Sequence, residues 1–392
     1  MRVLQVARYG SVKGGAETYV AAVCEGLRSD GHEVVLAYGS DPDMERPEVE
    51  TGYAIPALAG GDAIEGAPAL DEAIEDFRPD VVHVHTADAA WVAPAVARRA
   101  RVLLAVHDHR LDSPAGTKYW AAWRKPCTIR PGAWCLAFNV AGHCGSLRAN
   151  ASLRPYREWR AARAAVLGLH LQAFSEYMRG ELVRAGLDLP IITVTPYPVP
   201  PPTPSLDPRD DDPRPVILAS GRLNKEKGFR QLIEAVARVR TAAHLVIAGS
   251  GHERDALEKR ARSVYGPHRI TFTGWLSPEA LEGWRARAAV IAVPSMWPEP
   301  FGIVGLEAMA AGRAVVAFDS GGIREWLTDD LNGRLVPTGD VRGFARALEE
   351  LLGDESARAR MGAAGRARAE TEFSLAAHVE KLTTLYRAVG SR

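Results

Sequence analysis

Short apolar runs rich in β-branched residues recur along the chain, each followed by a longer stretch whose apolar positions fall three and four residues apart. The runs lie at 3–7, 33–37, 81–85, 102–106 and 168–172, and a second series lies at 216–220, 244–248, 270–273, 289–293 and 314–317. Runs of this length predict buried strands, and the amphipathic stretches between them predict βα units around parallel sheets. Residues 195–215 break the alternation with TPYPVPPPTPSLDPRDDDPRP, a proline density that neither a helix nor a central strand tolerates. The pattern thus predicts an α/β protein of two domains, the first ending near 198 and the second starting near 199, with this segment as linker. A length of 392 residues agrees, because it exceeds what one hydrophobic core normally supports.

Charge and composition narrow the partners. Lys+Arg and Asp+Glu both number 48, so no bulk positive field exists to hold nucleic acid or an anionic membrane. The opening MRVLQVARYG runs straight into a strand, without the charged and apolar regions of a secretory signal, and no apolar run reaches spanning length. A cytoplasmic location is expected, with Cys24, Cys127, Cys135 and Cys144 reduced. Residues 112–152 carry little periodicity, as a lid or binding segment does. Cys127, Cys135, Cys144 and His143 there lack the paired short spacings of a zinc knuckle, and thiols packed against Trp123 and Trp134 are the expectation. Asp210, Asp211 and Asp212 read as a solvated connector rather than a metal motif.

Candidate chemistry gathers on loops that follow strands, where doubly wound sheets collect ligands. In PSMWPEPFGIVGLEAMAAG, Pro298, Pro300 and Gly302 forbid regular structure before Ile303, after which Ile303, Leu306, Met309 and Ala310 keep helical spacing. Glu299 is thereby placed in the entering loop and Glu307 about one turn into the helix. The free N–H groups near Phe301, Gly302 and Ile303 suit a phosphate or a sugar oxygen, and an ionised carboxylate suits a vicinal diol. GRLNKEKGF sets Arg222 and Lys227 in one strand-to-helix loop, a planar fork and a point charge of the kind a diphosphate needs. Gly14 and Gly15 open a helix after the first strand, and Gly249, Gly251, Trp275 and Leu276 lie in two further loops of the second domain. His107 ends a first-domain strand, a place from which a histidine either donates to a substrate hydroxyl or phosphate or serves as a structural residue bonded to a neighbouring loop. Asp88, Asp108 and Asp112 offer weak candidates for a cationic acceptor, with ordinary loop aspartates as the plainer reading.

Taken together these motifs resemble a bacterial family 4 glycosyltransferase, a retaining group with the GT-B architecture of two facing Rossmann-like domains. The resemblance covers nearly the whole chain. PSMWPEPFGIVGLEAMAAGRAVVAFDSGGIREWL resembles the family's E-x7-E block, SGRLNKEKG its phosphate loop and GGAETYV its N-terminal glycine loop. It implies that Arg222 and Lys227 hold the donor diphosphate, that Glu307 accepts from the ribose, and that Glu299 with the backbone at 301–303 orders the transferred sugar. It also implies Gly15 approaching the diphosphate, His107 beside the sugar, a base pocket at Trp275 and Leu276, and a C-terminal helix at about 374–392 returning to the first domain. Residues 112–152 align with no functional motif.

The expected activity is hexosyl transfer from a nucleotide sugar, UDP-glucose or UDP-N-acetylglucosamine by family frequency, to a small polar acceptor such as an aminocyclitol or amino-sugar antibiotic intermediate. No cofactor or metal is required by such a scheme, since two fixed cations serve the leaving group. A lipid-linked envelope acceptor is the alternative. A glycoside hydrolase would leave Arg222 and Lys227 without a role. A non-catalytic nucleotide-sugar binder and an epimerase on the same scaffold complete the competing readings.

Overall fold

The computed structural model describes residues 1–11, 14–39, 52–60, 63–85, 91–144, 153–187, 191–200, 203–208, 210–263 and 268–389. The chain divides into two compact units, one of Met1–Lys118, Thr128–Pro200 and Ser374–Arg392, the other of Tyr119–Cys127 and Pro201–Phe373.

In the first unit, strands β1 (Arg2–Ala7), β2 (Glu33–Tyr38), β3 (Gly52–Ala54), β4 (Val81–Val84) and β5 (Val102–Val106) precede a two-stranded hairpin, β6 (Tyr119–Trp120) and β7 (Lys125–Pro126), that belongs to the second unit. Strands β8 (His170–Ala173) and β9 (Ile192–Val194) complete a seven-stranded sheet of order β3-β2-β1-β4-β5-β8-β9. Every pairing in it is parallel. All five residues of β5 are buried, as a strand covered on both faces requires. The second unit repeats the plan with β10 (Val216–Ser220), β11 (His244–Ala248), β12 (Arg269–Gly274), β13 (Ala288–Val293), β14 (Val315–Asp319) and β15 (Gly333–Pro337). Its order is β12-β11-β10-β13-β14-β15, again all parallel. Both orders reverse beside the first strand of the unit, which is the Rossmann-like arrangement the GT-B resemblance implies.

Each unit has its own core. Leu4, Val6, Val82, Leu104 and Leu171 fill the first, and Ile217, Leu245, Val290, Val316 and Phe344 the second. The C-terminal helix Leu375–Ala388 is capped by the Ser374 hydroxyl, which accepts from the Ala377 N–H, and it belongs to the first unit. It packs on helix Gly15–Ser29 so closely that a Cβ on Gly26 would lie 2.8 Å from Val379.

Four differences from the sequence reading concern strands of the sheets and the segment 112–152. The pattern did not reveal β3, β9 and β15, edge strands of three, three and five residues that are too short or too half-buried to show a run. Strand β8 begins at His170 rather than 168, because Gly168 takes a left-handed φ of 81° that ends the preceding turn. Residues Tyr119–Cys127 join the second unit instead of the run 1–198, since Tyr119 is buried in the second core. Trp123 and Trp134 are exposed, 46% and 50%, and Cys127, Cys135 and Cys144 are half-buried thiols rather than enclosed ones.

Candidate active site

In the second unit the strand order turns at the β10–β13 boundary, and the loops following these two strands carry the strongest candidate residues. Loop 221–228 leaves β10 and loop 294–302 leaves β13. The amides of Met296 and Trp297 both donate to the Glu226 carbonyl, at 2.8 and 3.1 Å, which stitches one loop to the other. Gly228 makes this approach possible. Its φ is 72°, and a Cβ there would stand 1.8 Å from the Pro294 carbonyl oxygen.

Across this seam the Lys227 ammonium donates to Glu299 Oε1 at 2.7 Å and lies 4.9 Å from the centre of the Trp297 ring. Ser295 Oγ also donates to Glu299 Oε1, at 2.5 Å. Burial pushes the Glu299 carboxyl up, but the charge of Lys227 and the donated hydrogen bonds outweigh it and hold the group below the usual range. Glu299 is therefore an ionised, almost enclosed carboxylate, 7% exposed, whose partner is the lysine expected to grip a diphosphate. A third loop, after β14, supports it: Ser320 Oγ donates to the Trp297 carbonyl at 2.6 Å and the Gly322 N–H to the Glu299 carbonyl at 2.7 Å. Gly321, with φ 64°, sits where a Cβ would be 2.3 Å from the Glu299 carbonyl oxygen.

Gly302 caps helix Ile303–Ala310 with φ 96°, and Phe301 before it is buried. The Trp326 indole donates to the Phe301 carbonyl at 2.8 Å and packs on Gly305, where a Cβ would meet the ring at 2.3 Å. The helix start is thus held in place from beneath. Glu307, inside the helix, accepts from Arg285 Nη2 at 2.9 Å, and Arg285 also pairs with Glu282. Burial raises the Glu307 carboxyl above its usual value against the pull of Arg285.

The remaining second-unit candidates take varied places. Arg222 is exposed, and its side chain makes no hydrogen bond or ion pair among the described residues. Gly249 and Gly251 underpin its loop: Cβ atoms there would lie 1.9 Å from the Gly221 carbonyl oxygen and 2.5 Å from that of Leu223. Trp275 is 71% exposed after β12, next to a half-buried Leu276, two strands from β10. Asp210 pairs with His244 and Arg269, and Asp212 with Arg214 and Arg269.

In the first unit Gly14 precedes helix Gly15–Ser29, with an extended φ of −174°. Both ring nitrogens of His107 are engaged, Nε2 with His85 Nδ1 at 3.0 Å and Nδ1 with the Tyr197 hydroxyl at 2.5 Å. His85 Nε2 in turn meets Gln5 Oε1 at 2.6 Å. An amide oxygen only accepts, so His85 donates there, His107 donates to His85, and Tyr197 donates to His107. Burial lowers His107 to about 3, so the ring is neutral. Among the acceptor candidates, Asp88 lies outside the described residues, and Asp108 accepts from the Arg110 N–H at 2.9 Å. Asp112 corrects the expectation. It is fully buried, 3.0 Å from His109 and 3.7 Å from Lys118, which also pairs with Glu181; a carboxylate so enclosed does not face an acceptor.

Sequence reasoning missed Arg285, Ser295, Ser320, Gly321 and Trp326. Gly321 and Gly322 after a strand were a visible signal; Arg285 had none. Among the described residues no group of three or more His, Cys, Asp or Glu is placed to hold a metal, and no helix is long and apolar enough to cross a membrane.

Residues 13–202 match the family described as Glycosyltransferase Family 4, and residues 207–368 match Glycosyl transferases group 1. The chain is 34% identical to an alpha-D-kanosaminyltransferase of Streptomyces kanamyceticus over 46% of this chain and 47% of that protein. It is 28% identical to the phosphatidyl-myo-inositol mannosyltransferase of Mycolicibacterium smegmatis over 92% of this chain and 86% of that one. Matches of higher identity than the latter span less than half the length of the first curated relatives. In structure it resembles Anabaena HepE, solved in complex with UDP and glucose, with a TM-score of 0.74 at 19% identity over 99% of this chain and 100% of that one. The two family matches lie end to end, one on each βα series, and the motif-bearing loops meet at the strand reversal of the second: the chain belongs to the family 4 glycosyltransferases, with the GT-B fold.

Proposed function

We propose that the protein is a retaining glycosyltransferase that takes a hexose from a nucleotide sugar bound by its second unit. The observation that carries this reading is the Lys227–Glu299 pair at the β10–β13 reversal, beside the Gly302 helix start. Lys227 and the N–H groups at the helix start meet the charge that develops on the departing diphosphate. Glu299 keeps the ammonium in place and presents its remaining acceptor capacity to sugar hydroxyls. The bond from the anomeric carbon to the diphosphate breaks as the acceptor oxygen attacks from the same face, and the acceptor's proton passes to the leaving phosphate. That scheme needs no side-chain base, which agrees with His107 having both nitrogens occupied.

UDP-glucose or UDP-N-acetylglucosamine is the donor in this reading, and the acceptor is a small polar molecule of the aminocyclitol or amino-sugar kind. The likeness to a kanosaminyltransferase supports it. A lipid-anchored acceptor is the second reading, favoured by a nearly full-length likeness to a phosphatidyl-myo-inositol mannosyltransferase. A thermal-shift panel of nucleotide sugars tests the donor, because a ligand that binds the folded state at 100 times its Kd stabilises by about 2.7 kcal/mol. Stabilisation by no nucleotide sugar would sink the proposal. With the donor known, product formation on an aminocyclitol and not on phosphatidylinositol separates the two acceptors, and binding without turnover on any hydroxyl would leave only a sugar-nucleotide binder.

A further inference from the structure

Arg285 stands out as a charged side chain in the second unit, 10% exposed, that no motif singled out. It sits on helix Pro278–Arg287, just before β13, and its guanidinium reaches two carboxylates. One is Glu282, three residues earlier on the same helix; the other is Glu307, on the helix that starts at Ile303. Only Oε2 of Glu307 is taken, at 2.9 Å, and Oε1 has no hydrogen-bond partner among the described residues. The Glu307 side chain is 22% exposed, so that oxygen is within reach of solvent.

The donor and acceptor count at this cluster is unequal. Two carboxylates offer up to about eight acceptor positions, while one guanidinium has five N–H donors, of which Nη1 serves Glu282 and Nη2 serves Glu307. The surplus is of acceptors, and what it lacks is O–H or N–H donors. A planar fork also does what an ammonium does not: it holds two carboxylates at set angles at once.

We propose that Arg285 is a positioning residue for the nucleotide's ribose: it fixes one oxygen of Glu307 so that the other is presented to the vicinal diol. This rests on the reading that the second unit binds a nucleotide sugar. A freely rotating glutamate would lose rotamer freedom on gripping a diol; one already anchored by Arg285 loses less, and its hydrogen bonds gain in selectivity. Arg285 touches no substrate in this arrangement and acts only through Glu307.

The test compares UDP and GDP with their 2′-deoxy counterparts by calorimetry on the full chain, in wild type, Arg285→Gln, Arg285→Lys and Glu282→Gln. In wild type the ribonucleotide is expected to bind roughly tenfold or more tighter than the deoxynucleotide, the size of a hydrogen bond to a charged group. Arg285→Gln should shrink that ratio several-fold toward unity, with Arg285→Lys intermediate. A purely structural arginine would weaken both nucleotides equally, and an unchanged ratio in a variant that still binds overturns the inference. Should Arg285→Gln fail to fold, Glu282→Gln decides: it leaves Arg285 to Glu307 alone, so the ratio should hold or rise, and a fall to unity counts against the proposal. Failure of wild type to bind either nucleotide overturns the donor reading itself, a distinct result.

Discussion

At the scale of single residues, what separates this site from a row of surface charges is pairing across loops. Lys227 and Glu299 are 72 positions apart and 2.7 Å in contact, each changing what the other does. Removing the ammonium takes away a cation for the leaving group and leaves Glu299 enclosed with its charge unmatched. Lys227→Ala is therefore expected to lower kcat by roughly 10²-fold, and Glu299→Ala to lower it as well by releasing the lysine. The double variant should lose clearly less than the product of the two single losses, since the pair acts as a unit. Steady-state rates on the best donor check this, and strictly multiplicative losses would mean that the two work independently. Arg222, Lys227 and Glu299 were legible from the sequence because glycine and proline announce the loops they occupy, and Glu307 because Gly302 announces the helix it lies in. Their partners were not. Arg285 sits on a helix whose pattern looks like any other, and Asp112 carries no mark of the burial that disqualifies it.

At the scale of elements, the site is a set of loops held at van der Waals distance by glycines. Gly228 has both a left-handed φ and a backbone neighbour that a Cβ would strike at 1.8 Å. Gly228→Ala should cost about 2 kcal/mol or more in stability through strain and displacement of the Pro294 backbone. It should also separate Lys227 from Glu299, so that nucleotide binding falls further than the melting temperature alone explains. Denaturant unfolding together with nucleotide calorimetry measures both; a variant with normal stability would show that the seam is looser than drawn. Strands in the sheet interiors were legible because they are buried on both faces and read as apolar runs, as β5 and β11 do. Edge strands β3, β9 and β15 were not, because a short strand with one solvated side has too few apolar positions to stand out. The hairpin Tyr119–Trp120 and Lys125–Pro126 escaped for a different reason: its apolar residues serve the core of the other unit.

At the scale of the whole molecule, buried histidines give the first unit a sensitivity to acid. Buried histidines tie the C-terminal helix to the first sheet: Tyr386 bonds to His83 and Gln5, and His378 accepts from the Tyr19 hydroxyl at Nε2 while donating from Nδ1 to the Pro196 carbonyl. Burial lowers His83, His85, His107 and His378, the last to about 4. A histidine whose folded pKa lies below its unfolded value near 6.5 binds its proton more readily when unfolded. Its stabilising effect is thus complete above pH 6.5 and is lost as pH falls from there toward 4 and below, by about 1.4 kcal/mol per pH unit per histidine. The first unit should lose melting temperature steeply between pH 6.5 and 4, and Tyr386→Phe should lower it further at every pH. Calorimetry across that range tests it; a first unit as stable at pH 4.5 as at 7.5 would show that these rings charge freely. The sequence by itself determined the βα alternation, the linker near 195–215 and the residue types on the loops, because periodicity, proline and glycine act over a few neighbouring positions. Only the tertiary structure decided which loops meet and which charges are neutralised. Strand order places β10 beside β13 and helix packing brings Arg285 to Glu307, and those juxtapositions span tens of residues and leave no local trace.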